Sequence, residues 1–391
     1  MTRRQLLVAA TQVFAEEGDA GRLEDVAAAV GVAKSALFRH WSSKEDLVAE
    51  VRLRVAERHR GWIEHAVAHH ADDPMTGVVE ATVGFFAPQR NALFDPLVTR
   101  GALAEPPAEL DALAPMLDAV ADRVGPDARE LVDSVALGTT RGWLGTPGLA
   151  DLDVDRDQLA AVLRRILAAG LDGIGPLPVT GRRPRRPAPA PFGAAGDERS
   201  RKEAAILDAA LGVFATSGYD RARLEDVAAA AGTTASALFT YWPGKEALFV
   251  DLRSRVTATI AAPLLDAVAR PGTPTERLRA AVAANIAAHY ERPEFQSVLL
   301  PVPSLPPESE LESVGWIRTI EALDLIPGID RAGDLVPVIT AIGLTVLRLS
   351  VLTMHRLNLH PALVTSVAGD YLAAGITAAG ADLGVDLGAG R

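Results

Sequence analysis

Apolar residues at the start of the chain recur with the spacing of an amphipathic helix. Five of them follow the i, i+1, i+4, i+7, i+8 pattern of one buried face: Leu6, Leu7, Ala10, Val13 and Phe14. The same pattern returns about 200 residues later in Ile206, Leu207, Ala210, Val213 and Phe214. Gly18 and Gly218 follow these segments and predict where each helix ends.

The repeat continues through a 25-residue segment. Residues 23–47, LEDVAAAVGVAKSALFRHWSSKEDL, recur at 224–248 as LEDVAAAAGTTASALFTYWPGKEAL, with 16 identical positions. The pattern predicts a short helix from Glu24 to Val30, a tight turn at Gly31 and a second short helix from Lys34 to Trp41. A period of 200 residues is far longer than a solenoid repeat, so we interpret the chain as a tandem duplication of a whole domain pair.

The second short helix separates a core face from an outward face. Leu37 and Trp41 lie four residues apart and are predicted to be buried, as are Leu238 and Trp242. An outward face on a helix of this kind can reach base edges and phosphates in a major groove. The candidate DNA-binding residues are Lys34, Ser35, Arg39 and His40 in the first copy, and Thr233, Thr234, Ser236, Thr240 and Tyr241 in the second.

The two segments GVAKSALFRHWSSKEDL and GTTASALFTYWPGKEAL resemble the DNA-binding domain of the TetR family of bacterial regulators. That family has a Gly-Val-Ser turn, a short recognition helix ending in an aromatic pair, and a Ser-Lys-Glu-x-Leu start to the next helix. The resemblance covers residues 1–55 and 201–256. It implies a helix-turn-helix domain followed by a helical ligand-binding and dimerisation domain in each half. It also implies that Lys44 and Lys245 contact phosphate, where a helix N-terminus favours an anion.

Two positions depart from the family pattern. The capping Ser or Thr before the recognition helix is Ala33 in the first copy and Thr234 in the second, and the frequent tyrosine is Phe38 and Phe239. Each phenylalanine loses a possible hydrogen bond to phosphate. Because charged contacts in the first copy become mostly hydroxyls in the second, we expect unequal half-sites. The departures also motivate an alternative, a small-molecule or protein binding module that has lost sequence-specific DNA binding in one or both copies.

The predicted fold is all-α, with two tandem units that form an intramolecular pseudo-dimer. A long helix follows each helix-turn-helix; in the first half it includes Trp62 and Ile63 on its apolar face, and in the second Pro263 is expected to kink it. By family analogy, helices near 127–144, 155–170, 334–357 and 362–380 pair into a four-helix bundle and set the recognition helices roughly 34 Å apart. The expected domains are 1–46 and 199–247 for DNA binding, 47–175 and 248–391 for ligand binding, and 176–198 as a Pro/Arg-rich linker.

Composition and charge remove several classes of function. The chain of 391 residues has no cysteine, which excludes disulfide scaffolds, thiol nucleophiles and cysteine zinc sites. The net charge of −11 is unevenly distributed: residues 61–175 carry −10 and 257–391 carry −5, whereas 1–60 and 199–256, which include the helix-turn-helix segments, carry +1 each and 176–198 carry +2. DNA binding is therefore not excluded. The N-terminus lacks a signal-peptide pattern, and the apolar stretch Leu335 to Leu352 is interpreted as a buried bundle helix. We expect a cytoplasmic protein with no membrane partner.

A ligand pocket is expected between the helices of each ligand-binding domain. The candidate residues are Trp62, His65, Phe85, Phe86, Phe94 and Trp143 in the first half, and Asn285, His289, Tyr290, Phe295 and Trp316 in the second. His65, His69 and His70 permit zinc geometry, but a solvated surface is the favoured interpretation, so no metal or cofactor is predicted. The sequence carries no recognisable catalytic motif, and an enzyme would depend on these histidines alone.

Together these patterns predict a ligand-responsive transcriptional regulator, a repressor, that binds a double-stranded DNA operator as a single-chain pseudo-dimer. The predicted effector is a small apolar or amphipathic molecule. Further association of the fused chain into a homodimer is left open.

Overall fold

In the computed structural model the described residues are 2–17, 21–87, 107–125, 128–145, 154–178, 180–187, 192, 197–299 and 335–382, and these contain helices but no strands. The first half comprises α1 (Arg3–Glu17), α2 (Leu23–Ala29), a 3-10 helix (Lys34–Arg39), α3 (Lys44–His69), α4 (Pro74–Phe86), α5 (Ala108–Val124), α6 (Arg129–Gly142), a 3-10 turn (Trp143–Gly145) and α7 (Arg156–Gly173). The second comprises α8 (Glu198–Ser217), α9 (Leu224–Ala230), α10 (Ala235–Leu238), α11 (Lys245–Val268), α12 (Pro274–Glu291), α13 (Phe295–Leu299), α14 (Leu335–Arg356) and α15 (Pro361–Asp382). The fold is all-α with two tandem units, as predicted.

Each half opens with the predicted helix-turn-helix. Gly31 and Gly232 have φ angles of +68° and +66°, a left-handed conformation that a residue without Cβ adopts at little cost. Leu37 and Trp41 are buried, and so are their equivalents in the second copy, which confirms the predicted core face. The second short helix is shorter than predicted, since it ends at Arg39 in the first copy and spans one turn in the second. The copy with a capping hydroxyl, Thr234, forms an α-turn, whereas the copy with Ala33 forms a 3-10 helix.

The long helices α3 and α11 carry each helix-turn-helix into its helical domain. Ser43 caps α3 by accepting a hydrogen bond from the Asp46 amide at 3.1 Å, whereas Gly244 has no side chain to cap α11. Ile63 is buried as predicted, but the expectation for Trp62 is wrong, because its side chain is 49% exposed. Pro263 does not end α11, which continues to Val268. Leu264, Ala267 and Val268 beyond the proline are buried, and their packing stabilises the helix past the missing amide hydrogen.

The two halves pack through four helices, α6 against α14 and α7 against α15. Glycines bring the backbones close together: a Cβ at Gly138 would lie 2.8 Å from Cα of Val346, and one at Gly142 would lie 2.9 Å from Cα of Ile342. On α7, a Cβ at Gly170 would lie 2.6 Å from the Tyr371 ring. Such separations are below van der Waals contact, so no other residue fits these positions without displacement.

Buried hydrogen bonds link the same helices. The Ser134 and Thr353 hydroxyls lie 2.7 Å apart, and the Thr139 hydroxyl lies 2.5 Å from that of Tyr371, whose pKa is raised by burial. Each of these four groups therefore has a partner across or within the contact, as buried hydroxyls require.

The helices α14 and α15 are as long and apolar as membrane-spanning helices. Leu335–Arg356 and Pro361–Gly380 are long and apolar enough to cross a membrane, but most of each segment is buried inside the fold. Buried core helices pass the same test of length and composition. Their packing against α6 and α7 agrees with the interpretation of Leu335–Leu352 as a bundle helix.

Residues 176–178 and 180–187 of the linker lie in neither a helix nor a strand. The linker packs against Tyr290 of α12. The Tyr290 hydroxyl donates a hydrogen bond to the Pro184 carbonyl, and the Arg183 and Arg186 guanidinium carbons lie 4.8 and 5.7 Å from the centre of the Tyr290 ring. Two of the four linker arginines thus contact the helical domain of the second half.

The glycine contacts give a direct test of this packing. Gly138→Ala is expected to destabilise the protein, since its methyl group meets the Val346 backbone. Gly212→Ala, in α8 with nothing within 4 Å, is expected to stabilise it by about 0.4–1 kcal/mol through helix propensity and unfolded-state entropy. Urea unfolding of both variants measures the difference. Equal stabilisation by the two substitutions would contradict the close approach of α6 and α14.

Candidate nucleic-acid interface and effector sites

The outward face of the first recognition helix is exposed and carries the predicted contacts. Lys34, Ser35, Arg39 and His40 all lie at the surface. The Lys34 ammonium pairs with the Glu24 carboxylate of α2 at 2.7 Å, and this hydrogen bond lowers the pKa of Glu24. A phosphate contact from Lys34 therefore has to compete with an exposed ion pair, which costs little because such pairs are weak in water.

The second recognition helix presents hydroxyl groups. Thr234, Ser236 and Thr240 are exposed, and Thr233 and Tyr241 are half-buried. The Thr234 oxygen accepts a hydrogen bond from the Ala237 amide at 3.3 Å, and the Arg199 guanidinium lies 5.2 Å from the Tyr241 ring centre. The capping role leaves the Thr234 hydroxyl hydrogen able to donate to another acceptor.

The matched lysines that follow the recognition helices lie against the helix-turn-helix core. The Lys245 ammonium donates to the carbonyls of Tyr219, Asp220 and Ala222 at 2.9, 3.3 and 3.3 Å. The Lys44 ammonium lies 5.8 Å from the centre of the Phe14 ring. Since an ammonium has three hydrogens, a phosphate would have to displace one of the carbonyls from Lys245.

Sequence reasoning missed a bond that fixes each recognition helix. The indole N–H of Trp41 donates to the Glu50 carboxylate at 2.6 Å, and that of Trp242 donates to Asp251 at 2.9 Å. Glu50 also pairs with Arg3 of α1. Both acids lie nine residues after their tryptophan, on the long helices. A buried indole N–H needs a hydrogen-bond acceptor. The acid that follows the tryptophan at the same spacing in both copies could therefore have predicted this bond.

The phenylalanine on each outward face was considered in the sequence only as a lost phosphate contact, and its possible role as an apolar contact was missed. Phe38 is 49% exposed and Phe239 is 55% exposed, at equivalent positions of the two copies. The Lys34 ammonium lies 5.9 Å from the centre of the Phe38 ring. An exposed phenylalanine on such a helix can contact a thymine methyl group. Because the core positions of this helix are already filled by leucine and tryptophan, the sequence contained this signal as well.

Comparison with known proteins agrees with this geometry. Residues 6–51 and 206–252 match the family described as bacterial regulatory proteins, tetR family. The chain carries two TetR-family domains in tandem. The HTH-type transcriptional regulator RutR of Escherichia coli K12 is 40% identical over 65 residues, which cover 17% of this chain and 31% of RutR. RutR of Shigella flexneri matches to the same extent. The matched segment thus spans about a third of these relatives, and the two TetR-family domains account for the repeat found in the sequence.

In the helical domain of the first half, charged groups lie among the predicted aromatic residues. His59, which sequence reasoning missed, is buried between Phe85 and Phe86, with ring centres 5.1 and 4.7 Å away. Its Nε2 lies 3.2 Å from the Thr82 hydroxyl. Burial lowers the His59 pKa to about 4. The signal was its position, four residues after Val55 and four before Ile63 on an apolar stripe.

Glu109 and Arg141 complete this cluster. Nε and Nη2 of Arg141 both donate hydrogen bonds to the Glu109 carboxylate, the longer of them at 2.9 Å. Oε1 of Glu109 lies 3.6 Å from Nδ1 of His59. Burial raises the pKa of Glu109, but the charges of Arg141 and His59 outweigh burial and lower it. The result is a paired ionic group inside an apolar domain, which is costly to form and therefore a candidate for recognition.

Of the other first-half candidates, Trp62 adjoins this cluster through Phe85, whereas His65 and Trp143 lie elsewhere. The Trp62 ring contacts Phe85 at 5.6 Å, His65 is exposed, and Trp143 is buried in the turn that packs against α14. Phe94 lies outside the described residues. The His65 and His69 rings are 4.3 Å apart. Over the described part of the chain no three His, Asp or Glu side chains group as metal ligands.

The second-half candidates come together at α12 and α13. Asn285, His289, Tyr290 and Phe295 are all buried, and His289 Nδ1 donates to the Asn285 carbonyl at 2.9 Å. The Phe295 ring centre lies 6.5 Å from that of His289. Burial lowers the pKa of His289 to about 4. Trp316 lies outside the described residues.

Removal of the tryptophan hydrogen bond tests its role. Trp41→Phe retains a buried aromatic ring but loses the N–H, and we expect it to lower the free energy of unfolding by about 1 kcal/mol. Trp62→Phe, at an exposed position, is expected to change it by less than about 0.5 kcal/mol. Guanidinium unfolding curves measure both. If the two substitutions had the same effect, the bond to Glu50 would not stabilise the recognition helix.

The buried histidines predict a dependence of stability on pH. His59 has a pKa of about 4 in the folded chain and about 6.5 when unfolded, so the unfolded state binds the proton first as pH falls. The stability gained by keeping the ring neutral is complete above pH 6.5 and is lost between about 6.5 and 4, by up to about 3 kcal/mol. Unfolding of wild type and His59→Gln across this range isolates the contribution. Parallel curves for the two proteins would refute it.

Proposed function

We propose that the chain is a ligand-responsive transcriptional regulator, a repressor, which binds an operator as a single-chain pseudo-dimer. The observation that carries this proposal is that two TetR-family domains occur in one chain whose helical domains pack together through α6, α7, α14 and α15. RutR, which matches part of the chain, is named a transcriptional regulator. A cytoplasmic location is proposed as well, since most of α14 and α15 is buried inside the fold.

The two recognition helices are proposed to read unequal half-sites. The first presents Lys34, Arg39 and His40, which favour guanine edges and phosphates, whereas the second presents threonine, serine and tyrosine hydroxyls. Ser35 and Lys44 are further proposed contacts of the first copy, and Lys245 is one of the second copy. The remaining second-copy contacts are Thr233, Thr234, Ser236, Thr240 and Tyr241.

An effector is proposed to act through the helical domains 47–175 and 248–391. In the first, the His59, Glu109 and Arg141 cluster lies beside Phe85 and Phe86, so a small amphipathic molecule would find both apolar and charged groups there. Such a ligand shifts an equilibrium only if it binds one arrangement of the two recognition helices better than the other.

Selection of bound sequences from random duplex DNA tests the proposal. We expect two unequal half-sites about one helical turn apart, with affinity that falls steeply as salt concentration rises. Arg39→Ala combined with Lys44→Ala is expected to weaken binding at least about tenfold, because charge-assisted contacts are lost. Arg156→Ala combined with Arg270→Ala removes two exposed charges outside the helix-turn-helix domains and serves as the matched control.

The alternative is a binding module without operator recognition. It is favoured by one observation, the engagement of the Lys245 ammonium with three backbone carbonyls. Absence of sequence enrichment, together with equal DNA affinity for the Arg39/Lys44 double variant and its control, would support this alternative and contradict the regulator.

A further inference from the structure

Positive groups gather where the linker crosses α12 and α14. The Arg186 guanidinium lies 3.3 Å from His355 Nδ1, and His355 Nε2 donates to the His289 carbonyl at 3.0 Å. Arg348 lies seven residues before His355, two turns along the same face of α14. α12, which carries His289, packs against α14, which carries Arg348 and His355. Burial is the main cause of the lowered pKa of His289, and the charges of His355 and Arg348 lower it further.

Several polar atoms of this cluster are buried without a hydrogen-bond partner. They are Nε and Nη2 of Arg348, Nε and Nη2 of Arg183, and Nε2 of His289. Neighbouring arginines of the same domain are paired, since Arg292 contacts Asp208 and Arg279 contacts Asp370, each at 2.7 Å. Arg183 and Arg348 are half-buried as residues, but these nitrogen atoms are shielded from solvent, and a shielded polar atom of a cation is costly to leave without a hydrogen-bond partner.

The nearby acids do not neutralise these groups. Glu294 contributes a negative charge near His355, and Glu130 on the edge of the cluster pairs with Arg356. The cluster therefore has an excess of positive charge from Arg183, Arg186 and Arg348. An anion is the group that would satisfy it.

The unpartnered edge of each of the two guanidinium groups, Arg183 and Arg348, has the geometry that binds a carboxylate. Nε and Nη2 lie on one edge of the guanidinium plane, and their parallel N–H bonds match the two oxygens of a carboxylate. His289 Nδ1 donates to a carbonyl, so Nε2 is the unprotonated nitrogen of the neutral ring. An adjacent anion favours protonation of Nε2, which then becomes a third donor.

Aromatic rings supply an apolar wall for the remainder of such a ligand. Phe295 lies 6.5 Å from His289 and stacks at 6.1 Å with Phe192 of the linker. Tyr290 contacts Arg183 and Arg186 on its ring. A cleft of about 530 Å³ lies beside Arg183, between the linker and the turn from α14 to α15, and Glu130 is also part of its lining.

We propose that an organic carboxylate binds between the linker and the second helical domain, with Arg348 and His289 as its anchors and Arg183 closing the site from the linker. This inference rests on the proposed function for its regulatory meaning, because it names the chemical class of the effector. The binding itself requires only the cluster described above. The linker thereby becomes part of the site rather than a connection between units.

Isothermal titration calorimetry of the full chain without DNA tests the site. The probes are benzoate, phenylacetate and octanoate, each compared with its uncharged amide. We expect at least one carboxylate to bind more tightly than its amide, and Arg348→Met or Arg183→Met to weaken it by about tenfold or more. Arg270→Met, at an exposed position of the same half, should leave the affinity unchanged. Equal binding of acid and amide, no binding of any probe, or unchanged affinity in Arg348→Met would overturn the proposal.

The Tm of the ligand-free protein is a second measurement. Substitution of Arg348 should raise it if the arginine binds a ligand, and lower it if the arginine only stabilises the fold. If Arg348 lacks a counterion, Arg348→Met should raise the Tm of the ligand-free chain, since it removes an uncompensated charge while keeping an apolar stem. A lower Tm would indicate that the guanidinium stabilises the fold and would contradict the site. Circular dichroism confirms that each variant is helical.

The two proposals fail independently. Carboxylate binding with no sequence-specific DNA binding would remove the regulator and retain the site. Operator binding with no carboxylate binding would retain the regulator and remove the site. If both hold, titration of the bound carboxylate against the selected operator should change DNA affinity, and Arg348→Met should abolish that change.

Discussion

The arrangement of the whole chain depends on how closely the backbones of the two halves approach at the contact of α6 with α14 and α7 with α15. Glycine at positions 138, 142 and 170 permits this approach, and a larger residue would push the helices apart. Dispersion between closely packed atoms is weak for each pair but large in sum, so a tight contact of this kind fixes one geometry. The helix-turn-helix domains are attached to this contact through the helical domains. Their relative position is therefore determined by packing far from any DNA.

The two copies retained what lies beneath the recognition helix and diverged on its surface. The tryptophan and its carboxylate partner occur in both, as do the buried leucine and the glycine turn. The outward residues changed from cations to hydroxyls. In a dimer of identical chains, a substitution on one recognition helix appears in both and both half-sites must follow it. Fusion removes that coupling, because each helix is encoded separately.

Sequence patterns predicted most of the fold, because apolar spacing determines which helix face is buried whatever its partner. The helix-turn-helix core, the glycine turns and the four apolar bundle helices follow from that rule. Trp62 was misplaced because an apolar side chain at the edge of a stripe is buried only if a neighbour covers it. The His59, Glu109 and Arg141 cluster and the docking of linker arginines on Tyr290 depend on contacts between distant segments, which local periodicity does not encode.

The distribution of glycines across the contact is one-sided. The first half supplies Gly138, Gly142, Gly170 and Gly173, and residues of the second half pack on them: Val346, Ile342, Tyr371 and Ala374. Gly375 against Ile166 reverses the roles. Two copies of the first half would meet glycine to glycine and leave voids, and two copies of the second would bring bulky side chains into collision. The first half thus supplies mainly the glycine positions of the contact, and the second half mainly the side chains that pack on them. Because of this division, the two halves are not interchangeable at these positions.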